Sequence, residues 1–561
     1  MIERPAYRLE LERDATVATL STPSGGHWAS LRLLAALDTT DGLDETLAVS
    51  SASIKGDVIE LERRSTRWER ARLRLVCTDD AVEIEASVSG RGRLTDAHLL
   101  GGRSLIPGRP TGFLPSGSSF RTLFSPNPED PGQLVRPAAE RAVIGVVGDS
   151  QPGRGHWFFT PAPLYLALSA ESEELLGIGI AAPVEQLIFV QLVYQPADRA
   201  FSLRLEYDGH TEVDGEFSTP ALVLAPGAND PYVGLRRHRE DLTARGAAPA
   251  PRTRKVPSWW SEPIFCGWGA QCALAATEHR PAPEFSTQTN YDGFLAHLEG
   301  HGVVPGTIVI DDKWQESYGT CTPDLEKWPE LKGWIAERRA RGQHVLLWWK
   351  AWDAEGLAPE LCIRNPDGAP IALDPTNPDA RDELRQTVQR MLGTDGLAAD
   401  GLKIDFTART PTGSALSVHG SAWGIALLHE LLATVYTAAK TAKPDALVIT
   451  HTPHPSFVDV TDMIRLNDIL RLDDRGPVPP VVPQMRYRAA VVRAACPELL
   501  IETDDWCAPN LQQWREYLEA KPLLGVPSLY YAQSLDTTGE SFEQCDYEAL
   551  RRTWEQWRAK H

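Results

Sequence analysis

The sequence predicts a multidomain protein of the β plus α/β class, in which an N-terminal antiparallel β-sandwich precedes a (β/α)8 TIM barrel. Up to about residue 230, apolar and polar residues alternate with a period of two, which is typical of half-buried antiparallel strands. From residue 258 onward, short apolar runs alternate with long helical patterns, as they do in β/α repeats. The chain has 561 residues, of which 42% are hydrophobic, so it can fill two large cores.

Residues 1–232 are expected to form the sandwich. The segments 82–88 and 201–207 show the alternation most clearly, with an apolar residue at every second position. Few helical patterns interrupt this part of the chain, which favours two packed antiparallel sheets. The Gly/Pro/Ser-rich stretch 101–135 is too long for a simple hairpin and predicts either a functional loop or a mobile one.

Residues 233–257 are expected to connect the two domains, and residues 258–561 to form the barrel. The connector begins with a short helical pattern and continues as RGAAPAPRTRKVP, which has the composition of a linker. The barrel then requires eight strands. The expected strands are 263–268, 307–312, 344–349, 401–406, 446–451, 462–468, 498–504 and 527–533.

Composition excludes several functional classes. The net charge of −20 disfavours binding to nucleic acid or to an anionic membrane surface, because both need an excess of Lys and Arg. No apolar run reaches the roughly 18–20 residues that span a bilayer, and the N-terminus does not have the pattern of a signal peptide. The eight cysteines are scattered, without metal-ligand spacing. We therefore expect a cytoplasmic protein with no metal or other cofactor.

Charged and aromatic residues follow the predicted barrel strands. The carboxyl ends of these strands carry the active site in such barrels. The candidates there are Trp268, Asp311, Asp312, Trp314, Trp348, Lys350, Lys403, Asp405, His451, Arg465, Asp468, Asp504 and Asp505. Carboxylates beside tryptophans, without a phosphate-binding or metal motif, indicate sugar chemistry performed by two carboxylic acids.

Four of these strand ends carry a family resemblance. GLKIDF at 401–406 resembles the strand-4 K-x-D motif of the clan D glycoside hydrolases, the α-galactosidase and raffinose-synthase group of families 27 and 36. VIDDKWQ at 309–315 is similar to their strand-2 motif, FCGWGAQ at 265–271 to their strand-1 segment, and IRLNDI at 464–469 to their strand-6 segment. The predicted sandwich also fits family 36.

The resemblance implies a retaining mechanism in which Asp405 is the nucleophile and Asp468 the general acid/base. Asp405 must then stay ionised, whereas Asp468 must hold a proton near neutral pH. Lys403 lies two residues before Asp405 on the same strand, so both side chains point to one face and Lys403 can lower the pKa of Asp405. Asp473 and Asp474 are close enough in sequence to replace Asp468 as the acid.

The resemblance also implies the substrate-binding residues. Asp311 and Asp312 match the pair that holds the outer hydroxyls of the sugar, and Arg465 matches a residue that orients the sugar. Trp268 and Trp314 are candidates for the apolar wall of that subsite. The remaining candidates are Trp348 and Lys350 on one face of strand 3, His451 as a hydroxyl ligand or a core histidine, and Asp505 or Asp504 as a further contact.

The identity of the sugar stays open. Strand 3 reads LLWWKAW and strand 5 continues as ITHTPHPSF, and both depart from the family pattern. An α-galactosidase-like enzyme acting on short oligosaccharides or glycosides is favoured. An α-glucosidase-like or other α-glycosidase specificity, or transglycosylation at the same site, is the alternative. The resemblance also allows a homo-oligomer.

Two hypotheses from other classes remain. The first is a non-catalytic carbohydrate-binding barrel, which would keep the Asp311/Asp312 pair but not both catalytic acids. The second is an aldolase or isomerase that uses Lys403 as an amine nucleophile. That chemistry needs a neutral lysine in an apolar pocket, and Asp405 two residues away argues against it.

Overall fold

The computed structural model describes residues 1–45, 48–100, 113–115, 122–126, 142–147, 159–169, 174–195, 200–252, 255–469 and 480–561. Most of the 101–135 stretch lies outside the described residues. Asp473 and Asp474, the alternative acids, lie outside them as well.

Two antiparallel sheets form the N-terminal part of the described chain, as the alternating pattern predicts. The long strands β9 and β16 pair with each other from Leu99–Leu203 to Ser87–Ser218 and organise the larger sheet. The strands are β1 (Ile2–Glu3), β2 (Arg8–Leu11), β3 (Val17–Ser21), β4 (His27–Arg32), β5 (Ala36–Thr39), β6 (Val49–Lys55), β7 (Val58–Arg63), β8 (Arg70–Cys77), β9 (Val82–Leu99), β10 (Phe113–Pro115), β11 (Thr122–Phe124), β12 (Ala142–Val147), β13 (Tyr165–Ser169), β14 (Leu175–Ala181), β15 (Phe189–Gln195), β16 (Ala200–Ser218) and β17 (Ala221–Ala228).

The helix α1 (Pro231–Ala244) leads out of the larger sheet. The Asp230 side chain accepts hydrogen bonds from the backbone N–H groups of Tyr232 and Val233, and Pro231 occupies the first turn, where its missing N–H costs nothing. The helical pattern expected at 233–245 is therefore present, and it begins two residues earlier.

A parallel sheet follows, and its eight strands within the described residues run in the order β26-β25-β24-β23-β20-β19-β18-β27. The edge strands approach each other, because Glu502 in β26 bridges in parallel to Val526, which lies just before β27. The barrel strands are β18 (Ile264–Cys266), β19 (Thr307–Ile310), β20 (His344–Lys350), β23 (Gly401–Asp405), β24 (Leu447–Thr450), β25 (Met463–Arg465), β26 (Leu500–Glu502) and β27 (Ser528–Leu529), and β21 (Cys362–Arg364) pairs with β22 (Pro370–Leu373) outside the barrel.

All eight predicted barrel strands are confirmed, although most are shorter than expected. The polar residues assigned to the strand ends, such as Asp311 and Asp468, lie just beyond the last paired residue, in the loops. The helices that connect the strands are α2 (Trp268–Glu278), α3 (Gln288–Gly300), α4 (Leu331–Ala340), α5 (Pro378–Leu392), α6 (Ile425–Ala442), α7 (Val481–Ala495), α8 (Leu511–Leu524) and α9 (Gln544–Arg558).

Helix α2 was not predicted. It starts at Trp268, which the sequence placed at the end of a strand. Gly267 precedes it without a side-chain cap, so the usual start signal is missing. By contrast, Asn377 caps α5 by accepting a hydrogen bond from the Asp379 N–H, which is a usual start signal.

The N-terminal part also contacts the carboxyl-end loops of the barrel. The Thr160 N–H donates to the His451 carbonyl at 3.0 Å, and the Thr160 carbonyl accepts a hydrogen bond from Thr407 Oγ1 at 3.0 Å. Trp423 stacks on His210, with 3.7 Å between the ring centroids. In the described part of the chain, no helix has both the length and the apolar character needed to cross a membrane.

Candidate active site

Asp405 lies at the end of β23, where its carboxylate is surrounded by hydrogen-bond donors. Oδ1 accepts a hydrogen bond from the Phe406 N–H at 2.9 Å and from Arg465 Nη2 at 3.1 Å. Oδ2 accepts one from Trp348 Nε1 at 3.2 Å. About a quarter of the side-chain surface remains accessible, 23%, so the carboxylate is held in place but can still be reached.

Arg465, the last residue of β25, joins three carboxylates. Its Nη2 bonds Asp405, while Nη1 donates to Asp468 Oδ1 at 2.9 Å and to Asp504 Oδ2 at 2.8 Å. The guanidinium is buried, and the charges of Asp405 and Asp504 outweigh burial and hold its pKa well above the ordinary value. A rigid, permanently charged fork thus places the Asp405 and Asp468 carboxylates side by side.

The same surroundings drive the pKa values of the two carboxylates apart. Burial alone would raise the pKa of Asp405, but Arg465 and Lys403 outweigh it and hold the pKa well below its ordinary value. Asp468 is only partly buried, with 41% of its side chain accessible; the burial prevails over the attraction of Arg465, with support from the charge of Asp504, and raises the pKa to about 6. One carboxyl is therefore ionised while the other holds a proton under mildly acidic conditions.

Lys403 forms its direct ion pair with Asp311, not with Asp405. Its Nζ donates to Asp311 Oδ2 at 2.7 Å and contacts Cys266 Sγ at 3.4 Å. Burial would lower the pKa of Lys403, but Asp311 outweighs it and keeps the pKa above the ordinary value. The expectation that Lys403 favours ionised Asp405 agrees with the charge effect, although the hydrogen bond goes elsewhere.

Asp312 lies beside this pair and is less tightly held. Its Oδ1 accepts a hydrogen bond from the Tyr318 hydroxyl at 2.8 Å. Burial raises the pKa of Asp312 to about 7, and the negative charge of Asp311 adds to that effect. Lys350 Nζ lies 3.8 Å from the centre of the Tyr318 ring. Tyr318 therefore contacts both Asp312 and Lys350, which are two of the predicted site residues. Tyr318 was not among the predicted site residues, because no sequence motif surrounds it in its loop.

The three predicted tryptophans differ in how they are placed relative to Asp405. Trp348 bonds Asp405, as described above, and Trp268 lies at the rim, edge-on to Trp506 with 5.8 Å between the ring centroids. Trp314 instead is completely buried and donates its indole N–H to the Trp348 carbonyl. Trp314 has no accessible surface in this structure, so the structure does not bring it to the open site, and its wall role stays a prediction.

His451 is a buried neutral side chain behind Asp405. Burial, assisted by the charge of Arg465, lowers its pKa to about 3. Its Nε2 is 2.7 Å from Thr407 Oγ1, and its Nδ1 has no partner among the described residues. The structure thus favours the core alternative over a hydroxyl ligand.

Asp504 contacts Arg465, whereas Asp505 bonds other residues of the barrel. Asp505 Oδ2 accepts hydrogen bonds from Lys521 Nζ at 2.7 Å and Trp514 Nε1 at 2.9 Å, and Oδ1 accepts one from the Tyr530 N–H. Both carboxylate oxygens of Asp505 are thus bonded by other residues of the barrel. The structure thus brings Asp504, and not Asp505, into contact with Arg465, and a sugar contact by Asp505 stays a prediction.

The comparisons with known proteins find similarity in fold. No protein-family model matches the chain, and no curated protein sequence matches it. Among solved structures, a GH31 family sulfoquinovosidase from E. rectale is similar over 98% of this chain and 82% of its own, at 12% identity and a TM-score of 0.60. TtGalA, an α-galactosidase from Thermus thermophilus solved with stachyose, is similar over 91% of this chain and 99% of its own, at 14% identity and a TM-score of 0.55.

A third solved structure is longer than this chain. The cycloalternan-forming enzyme from Listeria monocytogenes, solved with a pentasaccharide substrate, is similar over 96% of this chain but only 56% of its own, at 12% identity and a TM-score of 0.55. These likenesses show that the sandwich-plus-barrel architecture of this chain is one found in glycosidases.

Proposed function

We propose that this protein is a retaining α-glycosidase, in which Asp405 is the nucleophile and Asp468 the general acid/base. The observation that carries the proposal is the Arg465 fork, which holds these two carboxyls together while their surroundings separate their pKa values. Retaining glycosidases need an ionised and a protonated carboxyl about 5–5.5 Å apart. The similarity of fold to glycosidases supports the same reaction class.

Each carboxyl has a defined part in the two steps. Asp405 attacks the anomeric carbon while Asp468 gives its proton to the departing oxygen, which leaves as an alcohol and yields a glycosyl-aspartate ester. Asp468, now ionised, takes a proton from water, and the water oxygen displaces Asp405 from the sugar. Inversion occurs twice, so the released sugar keeps its α configuration. Asp468 can reach the leaving group because 41% of its side chain stays accessible.

The sugar would bind over the Lys403–Asp311 pair and Asp312. Buried charged groups of this kind select a sugar by its hydroxyl pattern, because a mismatched hydroxyl leaves one of them unpaired. An α-galactoside is the favoured substrate, supported by the motif resemblance and by the similarity to TtGalA. Other α-glycosides remain the alternative, since the solved sulfoquinovosidase has the same architecture.

The test is hydrolysis of 4-nitrophenyl α-glycosides of galactose, glucose, xylose, arabinose, N-acetylgalactosamine and sulfoquinovose. We expect release from one of them, and a loss of at least about 10⁴-fold in the Asp405→Ala variant, because the covalent route disappears. Asp382→Ala on the exposed face of α5 is the matched control, and it should retain full activity. Release that persists in Asp405→Ala contradicts the proposal.

Two related functions are separated by the same experiment. Product analysis with added acceptor sugar distinguishes transglycosylation, in which a sugar hydroxyl replaces water in the second step. Silence over the panel and over natural oligosaccharides, with retained sugar binding, favours the non-catalytic binding barrel. The charged Lys403 argues against the amine-nucleophile alternative, because a protonated amine cannot attack a carbonyl. Cytoplasmic location and a homo-oligomer stay predictions.

A further inference from the structure

The chain turns sharply just after β25, where Asp468 lies. Asn467 adopts the left-handed conformation with φ of +67°, which asparagine tolerates better than most residues. As a result, three successive carbonyls converge on one nitrogen. Arg488 Nη1 donates to the carbonyl oxygens of Leu466 at 2.8 Å, Asn467 at 2.9 Å and Asp468 at 2.7 Å.

Arg488 itself is fixed on its own helix. It lies on α7 and is 1% exposed. Its Nη2 donates to Gln484 Oε1, one helical turn earlier, at 3.1 Å. The guanidinium is therefore held on the helix side by Gln484 and on the barrel side by the turn, and a buried planar group with several directed bonds leaves the turn little freedom.

We infer that Arg488 is a positioning residue, which sets where the Asp468 carboxyl stands by clamping the backbone turn that carries it. The inference rests on the proposed function, since it assigns to Arg488 the placement of the general acid/base. Two arginines together position Asp468. Arg465 holds Oδ1 of Asp468, and Arg488 holds the main chain from which that side chain projects.

The clamp matters because proton transfer demands close geometry. A general acid must lie within hydrogen-bond distance of the oxygen it protonates, and a displacement of about 1 Å can cost on the order of 100-fold in rate. Without Arg488, the three carbonyls of this turn lose the hydrogen bonds that Nη1 donates, and the turn can relax. The nucleophile Asp405 stands on β23, where Phe406 and Trp348 donate to it, and it is linked to this turn through the Arg465 side chain.

The acid role of Asp468 gives a readout that a general loss of stability does not produce. Poor leaving groups need the proton of Asp468, whereas 2,4-dinitrophenolate leaves without it. We expect Arg488→Met to lose about 100-fold in kcat/KM on the phenyl glycoside of the preferred sugar but less than about fivefold on the 2,4-dinitrophenyl glycoside. Arg488→Lys keeps one or two donors and should recover part of the loss.

Arg493→Met is the matched control. Arg493 lies on the same helix and also donates to main-chain carbonyls, those of Leu523 at 2.6 Å and Leu524 at 2.9 Å, but it does not touch the Asp468 turn. Any decrease in kcat/KM in Arg493→Met should be the same factor for every leaving group. If Arg488→Met does not fold, the milder Gln484→Leu, which removes the helix-side acceptor of Arg488, should show the same leaving-group dependence to a smaller degree.

The outcomes separate the inference from the function it rests on. If the wild-type protein cleaves aryl glycosides but Arg488→Met and Gln484→Leu lose activity equally on all leaving groups, or lose none, the inference is overturned while the proposed function stands. If the wild-type protein cleaves no α-glycoside, both are overturned. A loss confined to poor leaving groups, absent in Arg493→Met, supports the clamp.

Discussion

Lys403 and Asp311 form a buried ion pair across one intervening barrel strand, with 2.7 Å between Nζ and Oδ2 and each side chain only 3% exposed. The pair lies at the base of the proposed sugar site, where a charge without its partner is costly. The geometry has consequences for stability as well as for binding, because neither charge can be removed alone without leaving the other unpaired in the protein interior.

We predict strong coupling within this pair. Lys403→Met and Asp311→Leu should each lower the free energy of unfolding by about 3–5 kcal/mol, and the double variant by clearly less than the sum. Denaturant unfolding followed by tryptophan fluorescence measures this. Arg385→Met, which breaks the exposed pair with Asp382 on α5, should cost less than about 1 kcal/mol. Additive losses in the double variant would contradict the coupling.

The pH profile should reveal which carboxyl is the acid. Asp468 has a pKa raised to about 6, so it is protonated below that pH and loses its proton above it. We expect kcat/KM on a phenyl glycoside to fall as the pH rises through about 6. With the 2,4-dinitrophenyl glycoside, whose leaving group needs no proton, this basic limb should be absent both from the wild-type protein and from Asp468→Ala. Persistence of the limb in that variant would assign it to another group, of which Asp312 is the first to test by Asp312→Asn.

Asp504 and Asp505 should respond differently to the same substitution. The charge of Asp504 raises the pKa of Asp468, so Asp504→Asn should move the basic limb to lower pH. Asp505→Asn should leave the limb in place but destabilise the protein by about 3–5 kcal/mol, because buried Lys521 loses its counter-charge. The pH profile and thermal unfolding of both variants test this. If the basic limb of kcat/KM shifts in Asp505→Asn, Asp505 influences the ionisation of Asp468 and belongs to the active site.

Tyr318 should control the ionisation of Asp312. Its hydroxyl donates to the Asp312 carboxylate and opposes the burial that raises the pKa of that group to about 7. Tyr318→Phe should therefore raise the Asp312 pKa further and increase KM about tenfold, since a hydrogen bond to a charged group contributes about 1.5–3 kcal/mol. The pH dependence of KM is the measurement. If the KM of Tyr318→Phe equals that of the wild-type protein between pH 5 and 8, Tyr318 does not contribute to substrate binding.

The sequence was sufficient for the architecture and for the acids that meet at the barrel mouth. Eight apolar runs fix eight parallel strands, and the topology then brings the ends of those strands together, so Asp405, Asp311 and Arg465 converge. The alternation of side chains placed Lys403 on the correct face. It did not indicate that Lys403 would bond Asp311 and not Asp405, because Asp311 lies across one intervening strand and the sequence does not give the distance between their side chains.

Positions decided by local backbone conformation or by distant partners could not be predicted. Asp504 and Asp505 differ by one residue, and the left-handed conformation at Asp504, φ of 46°, decides which of them faces Arg465. Trp314 looked like a binding residue, but its indole N–H bonds a carbonyl in the next strand. Tyr318 and Arg488 reach the site from a loop and a helix with no motif around them.

The contact of Thr160 with the barrel bears on how this chain can be recombined. Its main chain donates to His451 and accepts from Thr407, so a residue far earlier in the chain completes two loops beside the proposed nucleophile. If the barrel were expressed alone from the connector onward, the His451 carbonyl and the Thr407 hydroxyl would lose their hydrogen bonds to Thr160 and would bond water instead. The barrel could therefore not be transferred to another protein without changing these loops. In a chimaera, the sandwich of another protein would need a backbone segment that bonds the His451 carbonyl and Thr407 Oγ1. Substitutions in the Thr160 segment and in these two barrel loops are therefore expected to depend on each other.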